Sequence, residues 1–202
     1  MKNNKVIVIG IDAASFDLIR PWIDQGKLQN LKYLVDNGCA GILESTIPPL
    51  SPVAWTSFYT GVNPGKHGIF DFFEKTSDDH RIRIVNRSNC RARPIWWYLN
   101  QAGYKTGMVN IPMTYPPDDV NGCMISGFDT PSIKNEFTFP ATLKDEIINS
   151  VGSYIIELDH NPRLMKDPER YVKELINCID IREKTVRYLT NRYAFDFFMV
   201  VF

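Results

Sequence analysis

Apolar and polar positions follow two different periods along this chain. Residues 6–11 (VIVIGI) form an unbroken apolar run rich in β-branched side chains, which reads as a buried strand of a parallel sheet. Residues 16–37 then carry apolar side chains at helical spacing, notably Leu28, Leu31, Leu34 and Val35, and Gly38 is a stop. CAGILEST (39–46) reads as a second strand that Pro48 and Pro49 break, and residues 52–59 resume as a helix. RIRIVN (81–86) alternates strictly, which predicts a strand exposed on one face. PIWWYLNQAGYKTGMVNIP (94–112) reads as helix, glycine stop and strand, and GCMISGFDTP (122–131) as a strand that ends in a loop. Residues 135–140 read as a connector, 141–150 as a helix and YIIEL (154–158) as a strand. The clearest helix spans 168–193, where Val172, Leu175, Ile176, Ile179, Val186 and Leu189 make one apolar stripe and Pro168 sits near the first turn.

The chain closes on FDFFMVVF (195–202), a strand that must be buried on both faces. Alternation of strands and helices predicts an α/β fold, a sheet covered on both sides. A core strand with no covering element after it predicts that residues 1–202 are the front portion of one longer domain. Residues 70–93 read as a β-rich excursion within it.

A length of 202 residues suits one domain or part of one, and 44% hydrophobic with 23% charged residues is ordinary for a soluble globular protein. The net charge of zero argues against a nucleic-acid partner; the only basic clusters are mild, at residues 80–83 and 87–93. Cys39, Cys90, Cys123 and Cys178 form no C-x-x-C pair, which excludes zinc-ribbon and thiol-redox motifs and fits free thiols in a reducing compartment. The apolar run at the N-terminus is too short for a secretory signal, and no run reaches membrane-spanning length. A cytoplasmic protein without a membrane partner is the expectation.

Two residues draw attention as chemistry. Asp12 follows the first strand directly, and parallel sheets bind ligands beyond the carboxyl ends of their strands, so it is placed to hold a cation; equally, it is placed to cap the following helix. Ser51 precedes Pro52 where a helix begins. As structure, it is a good helix cap. As chemistry, it is a hydroxyl at the positive end of a helix, where a phosphate can sit and where a cation on Asp12 would activate it. His67 reads first as a hydrogen-bonded structural histidine, Lys66 beside it as a residue able to meet an anion, and His80 and His160 as surface residues.

The segments VIVIGIDAASFDLIRP, TIPPLSPVAWTSFYTGVNPGKHGIFDF, PIWWYLNQAGYKTGMVNIPMTYPP and ISGFDTP occur in this order. Together they resemble the type I phosphodiesterase/nucleotide pyrophosphatase family of the alkaline phosphatase superfamily. The resemblance implies an alkaline-phosphatase-like, mostly parallel sheet with helices on both faces, incomplete at the C-terminal end. It implies a metal-dependent hydrolase of phosphodiesters or nucleotide pyrophosphate bonds, using two divalent ions, expected to be Zn²⁺, and a small phosphate ester or nucleotide as substrate. Asp12 takes the place of the metal-binding aspartate. Ser51 takes that of the Ser/Thr nucleophile that becomes phosphorylated and also ligates metal; Thr46 fits the spacing less well. In this likeness His67 is structural.

Two departures stand out. Ala54 replaces the asparagine with which the nucleotide pyrophosphatases hold a phosphate oxygen. The later T-D-x-x-x-H motif that completes the metal site is absent, so the 202-residue chain is expected to be inactive or nearly so. A phosphomonoesterase or phosphomutase of the same superfamily is the nearest alternative reading. A sulfatase is disfavoured because Ser51-Pro52-Val53-Ala54-Trp55 lacks the C/S-x-P-x-R context. A non-catalytic α/β binding module, with Asp12 and Ser51 serving only as caps, is the alternative from another class. Backbone N–H groups near Val53 and Ala54 are expected to face the phosphoryl oxygens.

Overall fold

The computed structural model describes residues 5–75, 81–158 and 162–202. Its first half contains β1 (Val6–Gly10), α1 (Phe16–Asp24), α2 (Gln29–Asn37), α3 (Ser51–Thr60), α4 (Pro64–His67), β2 (Phe73–Lys75), β3 (Ile82–Ile84) and α5 (Ile95–Gln101). The second half contains β4 (Thr106–Ile111), β5 (Gly122–Ser126), β6 (Thr138–Phe139), α6 (Leu143–Val151), α7 (Pro162–Met165), α8 (Pro168–Arg192) and β7 (Phe197–Val201).

Five strands form one sheet in the order β1-β7-β4-β5-β6. The first four are parallel and β6 runs antiparallel to β5. The closing apolar run is therefore not an edge: β7 sits between β1 and β4, and all five of its residues are buried, as the absence of polar positions demands. Side chains alternate across the pleat. Met108, Met124 and Met199 face Tyr59 of α3 and Trp96 of α5. Val109, Ile125 and Val200 face Leu143 and Ile147 of α6 and Ile181 and Leu189 of α8. The result is the mostly parallel α/β sheet, helices on both faces, that the sequence predicts. β2 and β3 pair as an antiparallel hairpin beside it, tied by Arg83 and Glu74.

Several elements differ from their sequence patterns. β1 is paired on one side only, among the described residues, and Ile7 and Ile9 are 65% and 62% exposed rather than buried. Residues 39–46 form no strand, because no described residue offers them a ladder; Leu43 is 87% exposed. Residues 16–37 divide into α1 and α2, with Gly26 at φ +73° in the break. Residues 154–158 place Tyr154 and Ile156 in the core, which satisfies their alternation by burial without sheet pairing. The connector at 135–140 contributes β6.

On α8 the buried side is Cys178, Ile181, Arg182, Thr185 and Leu189, whereas Val172, Leu175, Ile176 and Ile179 are exposed. At 1.5 Å per residue this 25-residue helix is about 37 Å long, and none of its residues before Cys178 is buried. All four cysteines are unpaired, and Cys123 and Cys178 are buried.

Candidate functional site

β1 ends at Gly10, and the chain turns sharply beyond it. The Asp12 N–H donates to the Phe202 carbonyl at the end of β7 (3.0 Å), and the Ala14 N–H donates back to Ile11 (3.3 Å). Ala13 makes this turn at φ +56°, a left-handed conformation that costs a residue with a Cβ about 1–2 kcal/mol. The turn leaves the Asp12 carboxylate at the carboxyl edge of the sheet.

α3 brings Ser51 to that carboxylate. Leu50, extended at φ −109° and ψ 142°, is the residue that caps the helix; its carbonyl accepts from the N–H groups of Val53 (3.0 Å) and Ala54 (2.9 Å). Those two amides are thus engaged within the helix start and are not presented to a ligand, contrary to the sequence expectation. Pro52 has no N–H, and the Ser51 amide finds no backbone acceptor among the described residues.

The Ser51 hydroxyl is directed at Asp12, with Oγ 3.3 Å from Oδ2 and 3.5 Å from Oδ1. Trp55 Nε1 donates to Asp12 Oδ1 at 2.9 Å. Ser51 and Trp55 are one helical turn apart and share a face, which is why both reach the same carboxylate. Neither Asp12 nor Ser51 makes a side-chain cap: α1 has no side-chain cap bond, nor has α3. The capping interpretation of these two residues therefore fails on their observed partners. A groove of about 530 Å³ adjoins them, lined by Val8, Gly10, Thr46, Ala54, Trp55 and Phe58 among others.

The other candidates lie elsewhere. Thr46 Oγ1 donates to the Pro48 carbonyl (2.9 Å). Lys66 is exposed, its N–H held by Asn63 at the start of α4. His67 is fully buried: Nδ1 accepts from the Ile69 N–H (3.1 Å), so Nε2 carries the proton and donates to Ser57 Oγ (2.9 Å). Burial lowers its pKa, and it stays neutral as a structural group. His80 and His160 lie outside the described residues. Among the described residues, no three His, Cys, Asp or Glu side chains converge as a metal-binding group.

Sequence reasoning missed Trp55 and Gly10. The first was findable from its i, i+4 spacing to Ser51. It also missed Asp129, whose carboxylate accepts from the N–H groups of Met113 (3.0 Å), Thr114 (3.3 Å) and Tyr115 (2.8 Å). That grip holds the turn after β4, where Met113 takes φ of +61°; Asn110, at φ +58°, lies within β4 at the register shift between Val109 and Ile111. Burial pushes the Asp129 carboxyl up to about 6 while its three N–H donors pull the other way.

Comparison with known proteins then places the chain. Residues 6–202 match the family model for type I phosphodiesterase / nucleotide pyrophosphatase. No curated protein matches the sequence significantly. Among solved structures, phosphonoacetate hydrolase from Sinorhizobium meliloti 1021, in complex with phosphonoacetate, superposes with a TM-score of 0.67 at 14% identity, over 98% of this chain and 46% of that one. Murine ectonucleotide pyrophosphatase / phosphodiesterase 5 superposes at 0.50 and 16% identity, over 74% of this chain and 40% of that one. The chain thus spans less than half the length of these structural relatives, and the likeness concerns the fold. No described helix is long and apolar enough to cross a membrane.

Proposed function

Because the chain belongs to the type I phosphodiesterase / nucleotide pyrophosphatase family, we propose that the whole protein hydrolyses phosphate esters, phosphodiesters or nucleotide pyrophosphate bonds, with Ser51 as nucleophile and Asp12 as a metal ligand. One observation carries the reading: the Ser51 hydroxyl meets Asp12 at the carboxyl edge of the sheet instead of capping its own helix.

The Ser51 and Asp12 side chains bring a hydroxyl and a carboxylate together at the carboxyl edge of the sheet, and oxygen donors of this kind would suit a divalent cation. Asp12 and Ser51 thus fit one side of a cation site, while a complete two-ion site needs more carboxylate and imidazole ligands than converge among the described residues. Bound there, divalent ions, with zinc our expectation, would neutralise phosphate charge and favour the ionised serine.

Ser51 Oγ attacks phosphorus in line. Its O–P bond forms as the ester O–P bond breaks, and the leaving alcohol takes up a proton. Water then cleaves the phosphoserine, which restores the hydroxyl and releases a phosphate monoester. Trp55 fixes the Asp12 carboxylate through its indole N–H. The Ser51 amide, at the positive end of α3 and without a backbone acceptor among the described residues, is the backbone donor left to meet a phosphoryl oxygen. A small phosphate ester or nucleotide is the substrate in this reading, and the unpaired thiols suit a cytoplasmic setting.

The test is metal analysis with assays on a diester, a monoester and a nucleotide, using the full-length protein beside Ser51→Ala. We expect zinc-dependent cleavage of the diester or nucleotide and its loss in the variant. A monoester preference would move the assignment to a phosphomonoesterase. Full activity in Ser51→Ala would end the nucleophile role.

A further inference from the structure

A second cavity lies apart from the Asp12–Ser51 pair. The basic run at residues 87–93 folds against the loop that follows β4 and encloses about 310 Å³, lined by Arg87, Ser88, Arg91, Arg93, Pro116 and Asp118 among others. Its floor is fixed. The Arg87 N–H donates to the Tyr115 carbonyl (2.8 Å), and its Nε donates to Asp118 Oδ2 (2.9 Å). The same Asp118 oxygen accepts from Trp96 Nε1 (2.9 Å). The Arg87 side chain is only 12% exposed.

The one carboxylate lining the cavity thus meets Arg87 and Trp96 through its Oδ2 oxygen. Arg91 and Arg93 remain. The Arg91 N–H donates to the His67 carbonyl (2.9 Å), and its side chain lies over Gly68, where a Cβ would sit 3.3 Å from Nε. The Arg93 guanidinium stacks on the Trp97 ring at 5.1 Å. Both residues are exposed, and neither has a carboxylate partner among the described residues. These two guanidiniums, without a carboxylate partner among the described residues, beside a largely buried Arg87 paired with Asp118, make a concave, cationic site. The planar fork of arginine matches phosphate oxygens two at a time. The volume exceeds that of one phosphate and stands at the small end of ligand pockets.

We propose that this cavity binds a small anion of the diphosphate class, held by Arg91 and Arg93 with the Ser88 hydroxyl. This stands independently of the role given to Ser51. The anion is either a free compound or the remote phosphates of a substrate.

The probe is methylenediphosphonate, which cannot be hydrolysed, titrated calorimetrically with chelator present so that metal-dependent binding is suppressed. We expect one saturable site. Its affinity should fall at least tenfold in Arg91→Ala/Arg93→Ala and change less than twofold in Ser51→Ala. The charge-matched control Arg170→Ala/Lys173→Ala, on the exposed side of α8, should also change less than twofold. Arg91→Lys/Arg93→Lys, which keeps the charge and loses the fork, should weaken binding severalfold, and it decides the matter if the alanine pair fails to fold. Absence of binding, an equal loss in the control pair, or loss only in Ser51→Ala would overturn the proposal. In the full-length enzyme, a rise in KM confined to substrates carrying a remote phosphate identifies the substrate as the source. Binding of the probe without that rise identifies a free anion.

Discussion

Replacing Gly10 with alanine would put a methyl group where Trp55 already stands. An ideal Cβ at this position lies 2.3 Å from Trp55 Cη2, 3.1 Å from Cζ3 and 3.0 Å from Val201 Cγ2. Carbon atoms at their optimal separation are about 3.5–4.0 Å apart, so the indole edge must retreat by more than 1 Å. Val201 is 2% exposed and held in β7, so it yields little; Trp55 is half-buried and can swing outward. Overpacking of this kind costs about 1–3 kcal/mol, and the freedom of Trp55 puts the cost in the lower half of that range. The swing also breaks the Trp55 Nε1–Asp12 hydrogen bond and releases the carboxylate. The assay is urea unfolding of Gly10→Ala, Trp55→Ala and the double variant, with the indole N–H resonance of Trp55 followed by NMR. We expect Gly10→Ala alone to lose about 1–2 kcal/mol and to shift that resonance. In the Trp55→Ala background the same substitution should cost less than about 0.5 kcal/mol, because only the Val201 contact remains. An equal penalty in both backgrounds would refute the reasoning, since the clash would then not be with Trp55.

Three further outcomes follow from the same geometry. Ser51→Ala should change stability by no more than about 0.5 kcal/mol in urea unfolding, since its hydroxyl makes only a long bond to an exposed carboxylate; a loss of about 0.5–2 kcal/mol would restore its capping role. Asp129→Asn should cost about 1–3 kcal/mol, because an amide offers one oxygen to three N–H donors and sets its own NH₂ against one of them; an unchanged midpoint would show that the turn after β4 does not depend on this carboxylate. His67 has a folded pKa below its ordinary 6.5, so the unfolded chain takes up the proton first and stability falls as pH drops below about 6.5. His67→Gln should remove that part of the slope, and identical slopes for the two proteins would contradict the buried, neutral imidazole.

The sheet was legible in the sequence where burial decides the pattern. Residues 197–201 contain nothing polar, and they became an interior strand between β1 and β4; 106–111 and 122–126 are buried almost throughout, although Thr106, Asn110 and Ser126 interrupt their apolar runs. The pattern failed where a strand needs a neighbour as well as a composition. Residues 39–46 have the right side chains and no ladder, and residues 154–158 met the same alternation by burial alone. The stripe on α8 was misread because burial falls on a neighbouring face: Cys178, Ile181, Arg182 and Thr185 are buried while Ile179 among them is exposed, and Arg182 and Thr185 carry no apolar signal. At the site, Asp12 and Ser51 were reachable from their places at element ends. Trp55 was obscured because an aromatic residue in an apolar helix looks like core, and Asp129 because its three partners are backbone groups that carry no sequence signal.

The pairing of serine with proline at the start of α3 explains how the hydroxyl comes to be free. A capping serine accepts from the second or third amide of its helix. Here Pro52 has no amide, and the Leu50 carbonyl takes the Val53 and Ala54 amides. Nothing in the first turn requires the Ser51 side chain. The partner of the hydroxyl, and not the boundary, settles its part in the fold: it meets a carboxylate 39 positions earlier in the chain, across the carboxyl edge of the sheet. A long-range contact between two polar side chains, one of them exposed, adds little stability, and this accords with the roles proposed above for Ser51 and Asp12.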